Sequence, residues 1–338
     1  MRDRSELSAK FVNSPLRELD QRLQNGDSLF WLSDRELVVG DAMLCRSVLA
    51  NENGAFAEQS DFFRCCSGFL QPRERQRRIA RDGARLLRDF LAHSEHDPLA
   101  VIDSTLASTQ TYPDAANLLM LKLLGPVLVA PGSARGIERL LQRIVERTIL
   151  RGASPRPPRA TGLLFRWRAI YLLASELERR SRQPVYPSRD ILDVIARHSG
   201  QDVAAEDLAQ VFLSFVVAII GFARSPLAQT SIGSETVGPG QQVIVCPYLA
   251  HRNRQVCENP DRFDPGRWSQ PGAGKHYLPF GWGEHRCTAA SLSVKFITNL
   301  LGVINQSYKL NYRFRAKVPC VGVALSPPCF ELTLVRGS

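Results

Sequence analysis

The sequence lacks three signals that would assign it to a class directly. It has no run of about 18 or more apolar residues, so no membrane span is expected. Its N-terminus is charged and has no apolar stretch of the secretory type, and we therefore expect a cytoplasmic protein. Its eight cysteines show neither C-x-x-C pairs nor zinc-ligand spacing, which predicts mostly buried free thiols rather than a disulfide framework.

The composition is that of an ordinary globular protein with an excess of positive charge. Of the 338 residues, 44% are hydrophobic and 22% are charged, and the formal net charge is +10. Such a basic balance raises nucleic acid as a partner, but no zinc-finger or RNA-recognition motif is present. Because the arginines are spread along predicted helices, an acidic protein partner or an anionic cofactor is favoured. We expect a single domain over residues 1–338.

Hydrophobic periodicity predicts a mainly α-helical chain with small β-sheets, an α+β fold. Apolar residues lie on every face of the central helix, which predicts that this helix is buried on every side. Asp41 is placed to cap the helix expected over 42–49. The expected elements, in chain order, are a β-hairpin over 29–39, helices over 42–49, 69–91, 97–150 and 162–182, the central helix over 206–222, and strands over 232–245 and 303–335.

One cysteine, Cys287, ends a loop punctuated by Gly281 and Gly283 and precedes an apolar helical run. A thiol in that position is expected at a helix N-terminus, where the helix dipole and free N–H groups favour the thiolate. The two glycines let the backbone approach a flat partner closely. His285 and Arg286 add positive charge beside the thiol. These features suit a thiolate beneath a planar, anionic, iron-bearing ring.

The spacing of this loop resembles the haem-binding loop of the cytochrome P-450 family, Phe-x-x-Gly-x-[His/Arg]-x-Cys-x-Gly. Ala289 replaces the last glycine of the pattern. The resemblance implies a P-450-like fold and a haem b cofactor, with Cys287 as the metal ligand and a catalytic residue. A buried cysteine at a helix start is the alternative, and it leaves the rest of the loop unexplained. The loop residues implied to bind the cofactor are Phe280, Gly281, Gly283, His285 and Cys287.

Two other places match family positions that hold a haem propionate. Arg73 and Arg77 lie one helical turn apart and so share one face of the predicted helix. The alternative there is a solvated, arginine-rich helix face. Arg224 follows the central helix and matches a family residue that pairs with a propionate. Residues 259–268 resemble the family's Pro-x-x-Phe-x-Pro-x-Arg-Trp element, which leads into the cysteine loop.

The central helix departs from the family pattern. It resembles the helix that crosses the distal face of the haem, where the family carries an acid–alcohol pair for proton delivery. Residues 217–221 contain no such pair. The catalytic candidates of this helix are therefore Ser214, which offers a hydroxyl, and Gly221. A substrate hydroxyl or an ordered water is then expected to supply protons.

The chain also resembles a family member from which a block has been removed. Two or three helices, on the order of 40–60 residues, are expected between the central helix and Arg224. In the family, one of them carries a Glu-x-x-Arg motif that pairs with an arginine of the element before the cysteine loop. Glu176-Leu-Glu-Arg179 precedes the central helix, so we interpret it as an ordinary solvated helix with a Glu176–Arg180 pair.

The missing block leaves Arg267 without its usual family partner. An unpaired buried charge is costly, so Arg267 is expected to be exposed or re-paired. The carboxylates nearest in sequence are those of Asp264 and Glu284.

The resemblance implies an enzyme that oxidises an apolar small molecule or biosynthetic intermediate by hydroxylation, oxidative coupling or cyclisation. Electrons would come from an acidic redox partner such as a ferredoxin, docking near Lys275, His276, Arg286 and the helix over 73–78. The alternative is a haem-free P-450-like protein, either a non-oxidative cyclase or a helper of another biosynthetic enzyme. The missing block favours this alternative, and the retained Cys287 opposes it. Only the net charge suggests an unrelated nucleic-acid or membrane-surface protein.

Overall fold

A computed structural model gives the fold, which is helix-rich with small sheets, as expected for a mainly α protein. Among the described residues, no helix combines the length and the apolar composition needed to cross a bilayer. The structure describes residues 15–57, 63–65, 67–93, 97–106, 110–133, 135–148, 159–200, 202–216, 222–254, 257–315, 320–321, 325–326 and 328–337.

The helices of the described residues occupy most of the chain before residue 217 and one long stretch after the cysteine loop. In chain order they are α1 (Pro15–Asn25), α2 (Ala42–Ala50), α3 (Arg73–His93), α4 (Pro98–Leu106), α5 (Asp114–Leu128), α6 (Arg135–Thr148), α7 (Arg159–Arg182), α8 (Ile191–Arg197), α9 (Ala205–Val216), α10 (Pro247–Arg252) and α11 (Ala290–Ser307). Short 3₁₀ helices cover Pro265–Ser269, Ala273–His276 and Gly283–His285.

The strands are short and fall into small sheets. In chain order they are β1 (Leu29–Ser33), β2 (Glu36–Val39), β3 (Arg64–Cys65), β4 (Gly68–Phe69), β5 (Gln110–Tyr112), β6 (Phe222–Arg224), β7 (Thr230–Ile232), β8 (Glu235–Val237), β9 (Gln242–Val245), β10 (Tyr308–Phe314), β11 (Cys320–Val321), β12 (Leu325–Ser326) and β13 (Phe330–Arg336). β5 interrupts the helical stretch expected over 97–150, and α11 continues into the region where strands were expected from residue 303.

The chain divides into two compact units, each built from two separate segments. The first comprises Met1–Gln59 and Ile220–Cys287, and the second comprises Ser60–Ile219 and Thr288–Ser338. The single domain expected over residues 1–338 stays a prediction.

The first unit is built on a four-stranded sheet in the order β1-β2-β9-β6. The expected hairpin of β1 and β2 is antiparallel, with Phe30 opposite Val38. β2 runs parallel to β9, with Leu37 opposite Val243, and both of these side chains are fully buried. Asp41 caps α2 as expected, because its Oδ1 accepts the N–H groups that begin the helix. The sheet and α2 together form the core of this unit.

The central helix ends earlier than expected. α9 is described to Val216, and residues 217–221 lie outside the described residues. The helix predicted to reach Phe222 is wrong at that end, because Phe222 pairs with Val245 as the first residue of β6. Long-range hydrogen bonds in the sheet override the local apolar pattern.

The second unit packs its main core around α9. The side chains of this core that expose 1% or less of their surface come from α3 and from three consecutive later helices. They are Ile79 of α3, Leu173 and Leu177 of α7, Leu192 and Ile195 of α8, and Leu208, Ala209, Val211 and Phe212 of α9. The expected burial of the central helix is therefore confirmed for these positions of α9.

A buried ionic cluster joins α7 to α8 in the same unit. Arg180 exposes 3% of its surface. Its Nε donates to Glu176 at 2.7 Å, and its Nη1 donates to Asp190 at 2.6 Å and to Asp193 at 2.7 Å. Its Nη2 donates to the hydroxyl of Ser133 at 2.9 Å. The Glu176–Arg180 pair is confirmed, but the expectation of a solvated helix is wrong, because carboxylates from α8 and its N-cap bury the guanidinium.

The pKa values of the carboxylates in this cluster shift in different directions. Burial alone would raise the pKa of Glu176, but hydrogen bonds from Arg179 and Arg180 outweigh it and lower that pKa. For Asp190 burial prevails over the attraction of Arg180, and its pKa is raised. Removing Arg180 would leave the buried carboxylate of Asp190 without its cation, whereas Glu176 keeps Arg179 and Asp193 keeps Arg189.

Replacing Arg180 by methionine should reduce the free energy of unfolding by about 3–5 kcal/mol, because Asp190 would stay buried without its cation and Asp193 would keep only Arg189. Urea unfolding followed by circular dichroism measures this change. Arg182→Met is the matched control, since that side chain is 79% exposed and lies 3.8 Å from Glu178, and its midpoint should hardly move. Equal midpoints for the two variants would contradict the role given to the cluster.

In the first unit, the backbone around Gly283 packs against the C-terminal end of α2. Gly283 has a φ of +71°, and a Cβ there would lie 2.7 Å from the carbonyl oxygen of Leu49 and 2.9 Å from the Cα of Ala50. The preceding Trp282 lies under the guanidinium of Arg46, whose Cζ is 3.7 Å from the ring centroid. A side chain larger than that of glycine would therefore push this loop away from α2.

Replacing Gly283 by alanine should cost about 1–3 kcal/mol, because the residue would keep a left-handed conformation and its Cβ would overlap the backbone of α2. Thermal unfolding measures the loss, and the reaction rate of Cys287 with a thiol reagent reports movement of the loop. Gly274→Ala is the control, because a Cβ at Gly274 meets nothing within 4 Å. An unchanged midpoint and thiol rate in Gly283→Ala would refute the packing argument.

Candidate functional site

Cys287 lies at the end of the loop, shortly before Ala290, the first residue of α11. Its N–H donates to the carbonyl oxygen of Phe280 at 2.9 Å, which closes the loop. Inside the loop, Gly281 is buried and has a φ of 72°. The thiol of Cys287 is exposed, whereas other described cysteines such as Cys45 are buried. The loop therefore presents one accessible thiol on a tightly turned backbone.

A histidine from α10 holds the segment that leads into the loop. The N–H of Leu278 donates to Nε2 of His251 at 2.8 Å. The His251 ring stacks on Tyr277 with centroids 5.8 Å apart, and Tyr277 meets Phe280 edge-on at 6.5 Å. Burial lowers the pKa of His251, which favours the neutral ring that can accept this hydrogen bond. The start of the loop is thus fixed from α10.

The sequence reasoning missed both Arg46 and His251 as supports of the loop. Besides covering Trp282, Arg46 donates from Nη1 to the carbonyl oxygen of Lys275 at 3.1 Å. Both basic residues lie on short helices; the segment His251-Arg252-Asn253 resembles the family in sequence, but that resemblance assigns His251 no role at the loop. Their role follows from sheet pairing that brings α2 and α10 to the loop, and no local spacing predicts it.

Arg267, the arginine expected to have lost its family partner, is satisfied by main-chain groups. Its Nε donates to the carbonyl of Asp264 at 3.2 Å. Its Nη2 donates to the carbonyls of Asn259 at 3.2 Å and Arg262 at 2.7 Å. Its Nη1 contacts the thiol of Cys257. All three guanidinium nitrogens are therefore occupied within one stretch of chain.

Re-pairing was expected at the carboxylate of Asp264 or Glu284, and the structure corrects this. Asp264 contributes its carbonyl oxygen, while its carboxylate accepts the N–H of Gly266 at 3.0 Å. Carbonyl oxygens can satisfy an arginine that is partly exposed, because water screens its remaining charge. The segment before the cysteine loop thus closes on itself without an outside acid.

The remaining candidates of the first unit are only partly described. Arg224 lies in β6 opposite Val243 and exposes 7% of its surface, so its cation is buried. The side chain of His285 and the whole of Gly221 lie outside the described residues.

The candidates of the second unit lie on α3 and α9. Arg73 is the first residue of α3 and is half-buried, and Arg77 follows one turn later and is exposed. Ser214 exposes 6% of its surface, and its hydroxyl donates to the carbonyl of Gln210 at 3.3 Å. That hydroxyl is therefore already used within its own helix.

The described residues of the loop fit a haem held through a thiolate. The thiol of Cys287 is exposed on one side of the loop. The loop keeps its shape through contacts on its other parts, at Gly283, Trp282 and Leu278. A haem at this place would take Cys287 as its protein ligand to iron.

Comparison with known proteins matches this part of the chain to one family. Residues 213–318 match the family model described as cytochrome P-450. Cyclooctatin synthase from Streptomyces melanosporofaciens is 30% identical over 117 residues, which are 33% of this chain and 24% of that protein. Cytochrome P-450 105A3 from Streptomyces carbophilus is 34% identical over 135 residues, 40% of this chain and 28% of that protein. The chain therefore spans about a quarter of the length of the curated relatives it matches.

Solved structures extend the likeness in fold to nearly the whole chain. P-450BioI in complex with a hexadec-9Z-enoic acid-ligated acyl carrier protein superposes with a TM-score of 0.69 at 14% identity, over 97% of this chain and 100% of that chain. The retinoic acid-bound cyanobacterial CYP120A1 superposes with a TM-score of 0.71 at 12% identity, over 94% of each chain. With the cysteine loop and the family match in agreement, residues 213–318 are similar in sequence to the cytochrome P-450 family, and nearly the whole chain has the fold of solved cytochromes P-450.

Proposed function

We propose that the chain is a haem-thiolate enzyme that oxidises an apolar small molecule or biosynthetic intermediate. The observation that carries this proposal is the exposed thiol of Cys287 at the end of a loop that Arg46 and His251 hold from outside. The position of that cysteine within the family's loop pattern supports the same function.

Different residues of the chain would bind the iron and the propionates of the haem. Cys287 would hold the iron through its thiolate, and the cations of Arg224, Arg73 and Arg77 would pair with the propionates. When bound, thiolate-ligated haem supplies the activation of dioxygen or peroxide. The buried position of Arg224 supports its assignment, because a buried cation binds a carboxylate more strongly than an exposed one.

The reaction that we propose is a hydroxylation or a related oxidative step. A C–H bond and one dioxygen become a C–OH group and one water, and two electrons and two protons are consumed. Two relatives, cyclooctatin synthase and cyclooctat-9-en-7-ol 5-monooxygenase, carry names of biosynthetic enzymes, which supports an apolar biosynthetic substrate. Because the hydroxyl of Ser214 already donates to Gln210, a substrate hydroxyl or an ordered water delivers the protons.

The electrons come from an acidic redox partner such as a ferredoxin. In the first unit, Lys275 and Arg286 are exposed and positively charged. In the second unit, α3 exposes Arg77 and Arg78. Cationic side chains of this kind steer an acidic protein towards the surface. A cytoplasmic location, where such a partner is reduced, stays a prediction.

A second function is favoured by the short connection between α9 and β6. Only residues 217–221 lie between these elements, where the family is expected to carry several helices. A protein without haem could then serve as a non-oxidative cyclase or as a helper of another biosynthetic enzyme. The content of haem in the purified protein separates this function from the first.

Reduced protein under carbon monoxide should show the red-shifted Soret band of a thiolate-ligated haem, and Cys287→Ala should abolish that band. The reason is that this band requires a thiolate ligand on the iron, which Cys287 would supply. Absorption spectra of haem-reconstituted protein measure it.

The control for this spectrum is Cys329→Ala, which removes another partly accessible thiol and should leave the band unchanged. Protein that stays colourless after haem is supplied would sink the first function and support the haem-free one. A thiolate band that persists in Cys287→Ala would assign the iron to another cysteine.

Replacing Arg224 by glutamine should weaken haem retention by about tenfold or more, because a charge-assisted hydrogen bond to a propionate is lost. Transfer of haem to apomyoglobin measures the dissociation rate. Arg262→Gln is the control, since that side chain is exposed. An unchanged transfer rate in a folded Arg224→Gln protein would remove Arg224 from the haem site.

A further inference from the structure

β10 forms one edge of a three-stranded sheet in the second unit. The sheet has the order β10-β13-β5, and among the described residues β10 pairs with β13 alone. The pairing runs without a bulge from Tyr308 to Phe314, and every residue of β10 after Tyr308 is exposed. The outer N–H and C=O groups of such an edge strand are a template for a further strand.

An aromatic row crosses this sheet and ends at the same edge. Phe314 of β10 lies opposite Phe330 of β13, and Phe330 lies opposite Tyr112 of β5. The ring centroids are 5.9 Å apart in the first pair and 5.0 Å apart in the second. Tyr312 adds an edge-on contact to Phe314 at 5.6 Å. Because Phe314 exposes 59% of its surface, the outermost ring of the row remains accessible.

The side chains of β10 alternate between an apolar face and a cationic face. Leu310, Tyr312 and Phe314 share one face, because successive side chains of a strand point to opposite sides. They expose 46%, 66% and 59% of their surfaces. Lys309 and Arg313 lie on the other face, and both are exposed. The strand contains neither Asp nor Glu, so its two cations have no acidic neighbour within β10.

One acid of the neighbouring strand lies on the cationic face. Glu331 of β13 is opposite Arg313. Its carboxylate already accepts a hydrogen bond from Nη2 of Arg315, and this bond lowers the pKa of Glu331. Glu331 is thus shared between two arginines and offsets only part of the positive charge at this edge.

We propose that β10 binds an extended acidic segment of a partner protein as a fourth strand of this sheet. The backbone of that segment pairs with the outward-facing N–H and C=O groups of β10. Apolar or aromatic residues at every second position of the segment continue the row beyond Phe314. Carboxylates at the alternate positions lie opposite Lys309 and Arg313, where opposite charges stabilise strand pairing.

Charge distinguishes this partner from a second copy of the chain. An antiparallel pairing of two β10 strands that uses the whole strand centres on Asn311. It sets Lys309 of each copy opposite Arg313 of the other, and like charges directly opposite each other destabilise a sheet. An acidic segment replaces both repulsions by attractions. The inference does not depend on the proposed haem chemistry, because it uses neither Cys287 nor the propionate arginines.

The test is fluorescence anisotropy of the labelled peptide Glu-Phe-Glu-Val-Glu-Val-Glu, titrated with the full chain. The peptide should bind, and the binding should weaken as sodium chloride rises. The same peptide with Lys in place of Glu should bind much less. Lys309→Gln and Arg313→Gln should each weaken the binding about threefold, as expected for one lost cross-strand charge pair. Phe314→Gln should weaken it about fivefold or more.

Two N-methylated forms of the peptide separate strand addition from unspecific attraction by charge. Alternate N–H groups of an extended strand point to the same side, so methylation of alternate residues blocks one side of the peptide. The form that is blocked on the side facing β10 should lose about tenfold or more in affinity, because its hydrogen bonds to β10 cannot form. The other form should bind nearly as well as the parent peptide. Equal affinities of the two forms would overturn the proposal.

Lys295→Gln is the matched control, because Lys295 is an exposed lysine of α11 in the same unit, and it should leave the affinity unchanged. Circular dichroism of each variant shows that it is folded, which is expected since the changed side chains are exposed. Absence of peptide binding, or equal binding by Phe314→Gln, would contradict the proposal. A dimer in sedimentation velocity that Lys309→Glu strengthens would assign the edge to a second copy, and would contradict it as well.

Discussion

The parallel pairing of β2 with β9 is the interaction on which the cysteine loop depends. It joins a segment near residue 37 to one near residue 243, and Trp31 adds a hydrogen bond of 2.7 Å to Glu235 across 204 positions of sequence. The helices that follow these strands, α2 and α10, are thereby fixed beside each other. From α2 come Arg46 and the backbone that meets Gly283, and from α10 comes His251. The exposed thiol therefore lies on a loop that contacts from α2 and α10 hold in place.

Charge is satisfied differently in the two units. In the second unit, Arg180 is buried and needs three carboxylates and a hydroxyl, because no water is available to solvate it. In the first unit, Arg267 remains partly exposed, and carbonyl groups suffice. A chain that lacks the acidic partner expected for Arg267 can therefore keep its cysteine loop. The charge of Arg267 is therefore no physical objection to haem binding, and the absorption spectrum of the protein tests whether haem binds.

Local patterns predicted those features that depend on neighbouring residues. The hairpin of β1 and β2, the Asp41 cap and the strand β13 lie where alternation or capping placed them, and α3 follows its helical spacing but begins at Arg73 rather than at Phe69, which lies in β4. Local patterns failed where a distant segment competes. Phe222 looks like the end of an apolar helix, yet it pairs with Val245. Glu176 and Arg180 look like a surface pair, yet carboxylates of Asp190 and Asp193 enclose them.

The sequence by itself determined the resemblance to one family and the identity of the presented thiol, because the spacing of Phe280, Gly283 and Cys287 is a property of one short continuous loop. Only the tertiary structure decided what supports that loop and how Arg267 is satisfied. The physical reason is that burial and charge compensation are set by residues far apart in the chain. Their positions follow from strand pairing and helix packing, which no local spacing contains.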